Sequence, residues 1–121
     1  MSTLFVCVTC RREGDLSEPR PGARLYAALK DQAGNLDVQP VECLSNCTRA
    51  CTAAVAAPGK WTYVVGNLDP ERNVADVLHF AHLHNASADG LTVWRERPVH
   101  VRKNTIARVP PMPTVTLKEP S

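Results

Sequence analysis

The period of apolar positions changes along the chain and marks out its elements. Leu4-Phe-Val-Cys-Val8 is a short apolar run of strand formers and predicts a first strand. Arg11 to Arg20 is charged and interrupted by Gly14 and Pro19, so it reads as a loop. Pro21 opens a helix, where a missing N–H costs nothing. Leu25, Ala28 and Leu29 then give the i, i+3, i+4 stripe, and Gly34-Asn35 ends it. Asp37 to Glu42 predicts a second strand, with Pro40 suited to an edge or a kink. Cys43 to Cys51 reads as an irregular loop. Thr52–Ala57 and Trp61–Val65 flank Pro58-Gly59, a turn pair, and predict a hairpin. Asp69-Pro70 is a helix-start signal, and Val74, Val77, Leu78 and Ala81 give the buried stripe of a second helix ending near Asn85.

The resulting order is β-α-β-β-β-α, an α/β domain with a small mixed sheet. It occupies residues 1–89. Residues 90–121 differ in composition and form a basic, Pro-rich C-terminal extension. Between Leu91 and Pro110, Arg95, Arg97, Arg102, Lys103 and Arg108 stand against one acid, Glu96. Pro110, Pro111, Pro113 and Pro120 then favour an extended tail. Trp94 is a candidate for packing that tail back onto the domain.

Composition excludes several functions. At 121 residues the chain suits one domain able to bury a core without disulfides. Aromatics at 5% argue against base-stacking platforms, and a net charge of +2 is too small for general nucleic-acid or membrane binding. The N-terminus lacks a basic n-region, and no apolar run approaches the roughly 20 residues of a membrane span. The expected compartment is the cytoplasm, where thiols stay reduced and clustered cysteines serve metals or catalysis.

There are 5 cysteines, an odd number that cannot all pair within one chain. Their spacing is Cys7-x2-Cys10 and then Cys43-x3-Cys47-x3-Cys51. A helix between the first two strands makes those strands parallel, so both end on one sheet edge. The two cysteine groups should therefore converge there. Four thiolates from two loops satisfy either a tetrahedral zinc or a 2Fe–2S cluster, and spacing alone does not separate the two. Backbone N–H groups around Ser45, Asn46 and Thr48 are candidate donors to sulfur. Arg11, Arg12 and Arg49 flank the cysteines, where positive charge would stabilise thiolates.

Val41-Glu-Cys-Leu-Ser-Asn-Cys47, with Leu4-Phe-Val-Cys7 before it, resembles the cysteine segments of thioredoxin-like 2Fe–2S ferredoxins and of the equivalent domain in respiratory NADH dehydrogenase. The resemblance covers roughly residues 3–85. It implies a thioredoxin-like ferredoxin fold, a 2Fe–2S cluster and one-electron transfer rather than enzymatic turnover. Cys7, Cys43 and Cys47 match ferredoxin ligands, and Cys10 is the favoured fourth. That family spaces its first two cysteines more widely, so Cys51 stands as the second candidate. The whole chain also resembles a family of small bacterial proteins described as predicted metal-binding. The matching features include Cys-Val-Thr-Cys-Arg-Arg, Cys-Leu-Ser-Asn-Cys-Thr-Arg-Ala-Cys and Trp-Arg-Glu-Arg-Pro. That resemblance implies a link to cobalamin biosynthesis and cobalt handling.

Two other chemistries compete. A zinc- or cobalt-binding accessory protein would use the same cysteines without carrying an electron. A CxxC thiol oxidoreductase would need Cys7-x-x-Cys10 at a helix N-terminus, yet about ten residues of charged loop separate Cys10 from Pro21. His79 and His82 are i, i+3 neighbours on the second helix, but a polar helix face explains them and His84. The expected partner is a redox or metal-handling protein, with neither nucleic acid nor membrane involved; the basic segment 95–108 reads equally as its docking surface or as a solubilising tail. A homodimer is compatible with the same reading.

Overall fold

A computed structural model describes residues 2–10, 18–44 and 49–112. Five strands and three helices follow in the order β1 (Thr3–Cys7), α1 (Pro21–Gln32), β2 (Asp37–Val41), β3 (Ala53–Ala56), β4 (Thr62–Val65), α2 (Val74–Ala86), α3 (Val99–Asn104) and β5 (Thr105–Val109). A short 3-10 turn at Trp94–Glu96 precedes α3. The strands form one sheet in the order β2-β1-β3-β4-β5. β1 and β2 run parallel, and every other neighbouring pair is antiparallel. Pro40 lies on the edge strand β2, where its lack of an N–H does least harm.

Strand alternation sets the core. Leu4 pairs in register with Val38 on one side and Val55 on the other, Val6 with Ala53, and Val55 with Tyr63. These side chains share one face. Leu25 and Leu29 of α1 and Val77, Phe80 and Ala81 of α2 join them in a single buried cluster. Tyr63 meets Phe80 edge to face at 5.1 Å. Cys7, Cys10 and Cys51 belong to the same cluster, so the thiols line the end of the core.

Two elements depart from the sequence reading. The second helix begins at Val74, four residues after Pro70. Asp69 instead caps a separate turn, its Oδ1 accepting from the N–H groups of Glu71 and Arg72 at 2.8 and 2.9 Å. The short acidic side chain thus closes a turn on its own backbone rather than opening the helix.

The second departure is C-terminal. Residues 90–112 are set apart by composition but not by the fold, because β5 pairs along β4 and completes the sheet. Trp94 does not anchor this segment; it is 58% exposed. Val101 does so instead, fully buried in the common cluster. Three of the four arginines that give the segment its basic character lie over aromatic rings. Arg97 stacks on Tyr63 at 5.1 Å, Arg108 on Trp61 at 5.0 Å and Arg102 on Trp94 at 4.8 Å. Pro113 and Pro120 lie outside the described residues.

Candidate metal centre

The parallel pairing of β1 and β2 puts Cys7 opposite Val41, at the carboxyl ends of both strands. Cys43 follows two residues later, and Cys51 lies two residues before β3. Cys7 joins β1 to the loop before β3 through its N–H, which donates to the Thr52 carbonyl at 3.1 Å. Val8 N–H donates to the Val41 carbonyl at 2.9 Å. Tertiary pairing thus brings three separate parts of the chain to one sheet edge.

The turn from Cys7 to Cys10 is held by the start of α1. Gly22 N–H donates to the Cys10 carbonyl at 3.1 Å, and the Arg20 guanidinium donates to the Thr9 carbonyl at 3.0 Å. A Cβ at position 22 would fall 2.1 Å from the Cys7 carbonyl oxygen. Only glycine lets the helix approach this closely. The separation of Cys10 from Pro21 in sequence is therefore not a separation in space. The first turn of α1 rests on the cysteine turn. Sequence spacing hid this approach; a glycine directly after the helix-opening proline was the available signal.

Inside the turn, Cys10 Sγ lies 2.8 Å from Cys7 Sγ. Both side chains are buried. In its thiol form Cys7 donates to the Glu42 carbonyl at 3.6 Å, and the Thr9 hydroxyl lies 3.8 Å from the same sulfur. Burial pushes the Cys7 thiol up, but donors outweigh it and hold the pKa below the ordinary thiol value. Those donors are the Cys10 S–H, the Thr9 hydroxyl and the Thr9 and Leu44 N–H groups. The net shift of Cys10 is the opposite: burial, reinforced by its bond and charge interaction with Cys7, pushes it up to about 12 despite an N–H from Thr52. Backbone donors to the Cys7 and Cys10 sulfurs thus include Thr9, Leu44 and Thr52. Sequence reasoning missed all three. Ser45, Asn46 and Thr48, named from sequence, lie outside the described residues, as do Arg11, Arg12 and Cys47.

The remaining cysteines differ in setting. Cys43 is exposed, at the mouth of this edge. Cys51 is fully buried; its N–H donates to the Leu68 carbonyl at 3.1 Å, and Leu68 N–H donates back at 3.0 Å. A charge on Cys51 would act on Cys10, so the two are electrostatic neighbours. Among the described residues, no group of three or more His, Cys, Asp or Glu is arranged to hold a metal ion. The donor chemistry nonetheless suits a thiophilic metal: two converging sulfurs, backbone N–H groups aimed at them, and a further cysteine at the mouth.

The histidines do not join this site. His79 and His82 are exposed on α2. His84 is fully buried, contrary to the polar-face reading. Its Nε2 lies 2.7 Å from the Trp61 carbonyl, which can only accept, so Nε2 carries the proton. Nδ1 then accepts from the Ser2 hydroxyl at 2.5 Å. Ser2 precedes β1, so His84 sits at the opposite end of the sheet from the cysteines.

The fold is that of the thioredoxin-like ferredoxins. The chain is similar to the thioredoxin-like [2Fe-2S] ferredoxin of Aquifex aeolicus, with a TM-score of 0.57 and 18% identity over 89% of this chain and 92% of that one. A cysteine-to-serine variant of the same ferredoxin gives a TM-score of 0.57 at 18% identity, covering 88% of this chain and 99% of that one. The wild-type form gives 0.53 at 18% identity, with 88% and 97% covered. The chain belongs to the family described as protein of unknown function DUF1636, whose model matches residues 4–111. No curated protein matches it. Among the described residues, no helix is long and apolar enough to cross a membrane.

Proposed function

We propose that this protein is a ferredoxin-like one-electron carrier, holding a 2Fe–2S cluster on Cys7, Cys10, Cys43 and Cys47. The observation that carries the reading is the sulfur environment at the sheet edge. Cys7 and Cys10 are buried together, and Thr9, Leu44 and Thr52 direct backbone N–H groups at their sulfurs. Cys43 lies exposed at the same edge. The likeness to thioredoxin-like [2Fe-2S] ferredoxins supports the reading at the level of the fold.

When bound, such a cluster supplies one-electron redox chemistry. The chain's own residues tune it. N–H groups on sulfur stabilise the more negative reduced form and raise the potential. The apolar core behind Cys7 and Cys10 keeps water from that side. Cys43 gives the short route to the surface, and the exposed Arg49 nearby in sequence suits an acidic protein partner. We assign Cys51 as a buried neighbour rather than a ligand. Clustered thiols suit the reducing cytoplasm, and the family resemblance in the sequence suggests cobalamin or cobalt metabolism as the pathway served.

The test is anaerobic purification followed by absorption spectroscopy with iron, sulfide, zinc and cobalt analysis. About two irons and two sulfides per chain, with visible bands that bleach on reduction, are expected. About one zinc per chain, and no cluster after reconstitution, would overturn the reading in favour of a redox-inert metal adaptor.

A further inference from the structure

We propose that Cys7 and Cys10 are a disulfide-forming modification site of the metal-free chain, oxidised by a hydroperoxide. Their sulfurs stand 2.8 Å apart. A disulfide needs about 2.05 Å. Two thiolates on one tetrahedral metal, at about 2.3 Å from it, stand roughly 3.7 Å apart. The pair therefore lies between its two bonded states and reaches either by a sub-ångström to one-ångström shift of the sulfurs. The backbone between them is already braced by Gly22 N–H and the Arg20 guanidinium, so closure asks for no rearrangement of the turn. Few residues separate the two thiols, so little chain entropy is lost on closing the ring.

The surroundings select the oxidant. Both side chains are buried, Cys7 at 1% and Cys10 at 4% exposure. A peroxide the size of two water molecules reaches such a site more readily than a bulky disulfide. In the first step Cys7 sulfur attacks one peroxide oxygen. The O–O bond breaks, Cys7 becomes a sulfenic acid and one water leaves. In the second step Cys10 sulfur attacks the Cys7 sulfur. The S–O bond breaks, the Cys10 proton joins the departing hydroxide as a second water, and the S–S bond forms. Cys10 is placed for this, because its S–H already points at Cys7 Sγ. Overall, two thiols and one peroxide give one disulfide and two waters. If Cys7 and Cys10 are ligands as proposed above, the oxidised chain cannot load metal until it is reduced. The disulfide itself does not depend on that reading.

The experiment uses the full chain, stripped of metal and reduced, then exposed to one equivalent of hydrogen peroxide. The protein is unfolded in iodoacetamide and digested with trypsin. Cys7 and Cys10 fall in one peptide, residues 1–11, whereas Cys51 falls in another. The expected result is a 1–11 peptide lighter by two hydrogens that takes no iodoacetamide and recovers both sites after dithiothreitol. The Cys51→Ala variant should behave identically. The Cys10→Ala variant should leave Cys7 as a sulfenic acid that dimedone traps. A cross-link from 1–11 to any other cysteine peptide would overturn the proposal. So would a 1–11 peptide that remains fully alkylated while other cysteines oxidise. Because the chain is metal-free throughout, these outcomes are independent of which metal it carries.

Discussion

Gly22 and Cys10 are packed backbone to backbone: a Cβ at position 22 would lie 3.1 Å from Cys10 N and 3.2 Å from Cys10 Cβ, besides its 2.1 Å approach to the Cys7 carbonyl. This contact joins the start of α1 to the turn that presents two thiols. Propensity alone would make Gly22→Ala stabilising by about 0.5–1 kcal/mol in a helix. The backbone clash reverses the sign, because neither partner is a flexible side chain. Gly22→Ala should lose about 1–3 kcal/mol of stability and reduce metal content, measured by thermal unfolding and elemental analysis. Unchanged metal content and a raised melting temperature would show that the helix does not brace the site.

The ligand assignment predicts a contrast between two buried cysteines. Cys10→Ser should abolish or strongly reduce cluster binding, while Cys51→Ser should retain it, scored by iron per chain and by visible absorption. The reverse order would make Cys51 the fourth ligand.

Thiol reactivity in the metal-free chain should follow burial and charge. At pH 8, iodoacetamide should label Cys43 before Cys10 and Cys51. Cys43 is exposed. Cys10 and Cys51 are buried away from the reagent, and Cys10, pushed up to about 12, offers little thiolate to it at that pH. Timed quenching and fragmentation mass spectrometry give the order. Early labelling of Cys10 would show that the cysteine turn opens in solution.

His84 predicts an acid-side loss of stability. Burial, with Lys60 nearby, holds its pKa below the ordinary value of 6.5. The folded chain therefore keeps His84 neutral where the unfolded chain already binds a proton. Its contribution is complete above about pH 6.5 and is lost progressively as pH falls below that. Unfolding midpoints at pH 7.5 and pH 5.5 should differ more for the natural chain than for His84→Gln. His84→Ala should cost about 2–3 kcal/mol at pH 7.5, since it leaves the Trp61 carbonyl without its donor and opens a cavity.

Arg97 should matter through its plane rather than its charge. Its Nε donates to the Thr92 hydroxyl at 2.7 Å, its Nη2 donates to the Thr92 carbonyl at 3.0 Å, and the guanidinium covers the Tyr63 ring. Arg97→Ala should cost about 1–2 kcal/mol, and Arg97→Lys should not restore it. Denaturant unfolding of the three chains tests this. Full rescue by lysine would reduce the role of Arg97 to charge.

Period and punctuation in the sequence determined the elements that pack locally. Runs of strand formers in Leu4–Cys7 and Thr62–Val65, Pro21 at a helix start, Gly34 at its end and Pro58-Gly59 in a hairpin each act through neighbouring residues. They are therefore legible without the fold. The cysteine spacing likewise marked a shared thiol chemistry. Tertiary structure decided what depends on approach across space. It brought Gly22 against Cys10, and it directed Thr9, Leu44 and Thr52 N–H groups at sulfur. It buried His84 among polar partners from two distant segments, and it docked a basic C-terminal stretch through an edge strand, with Arg97 and Arg108 laid on rings. None of these has a local period. Each depends on a surface that only the assembled sheet presents.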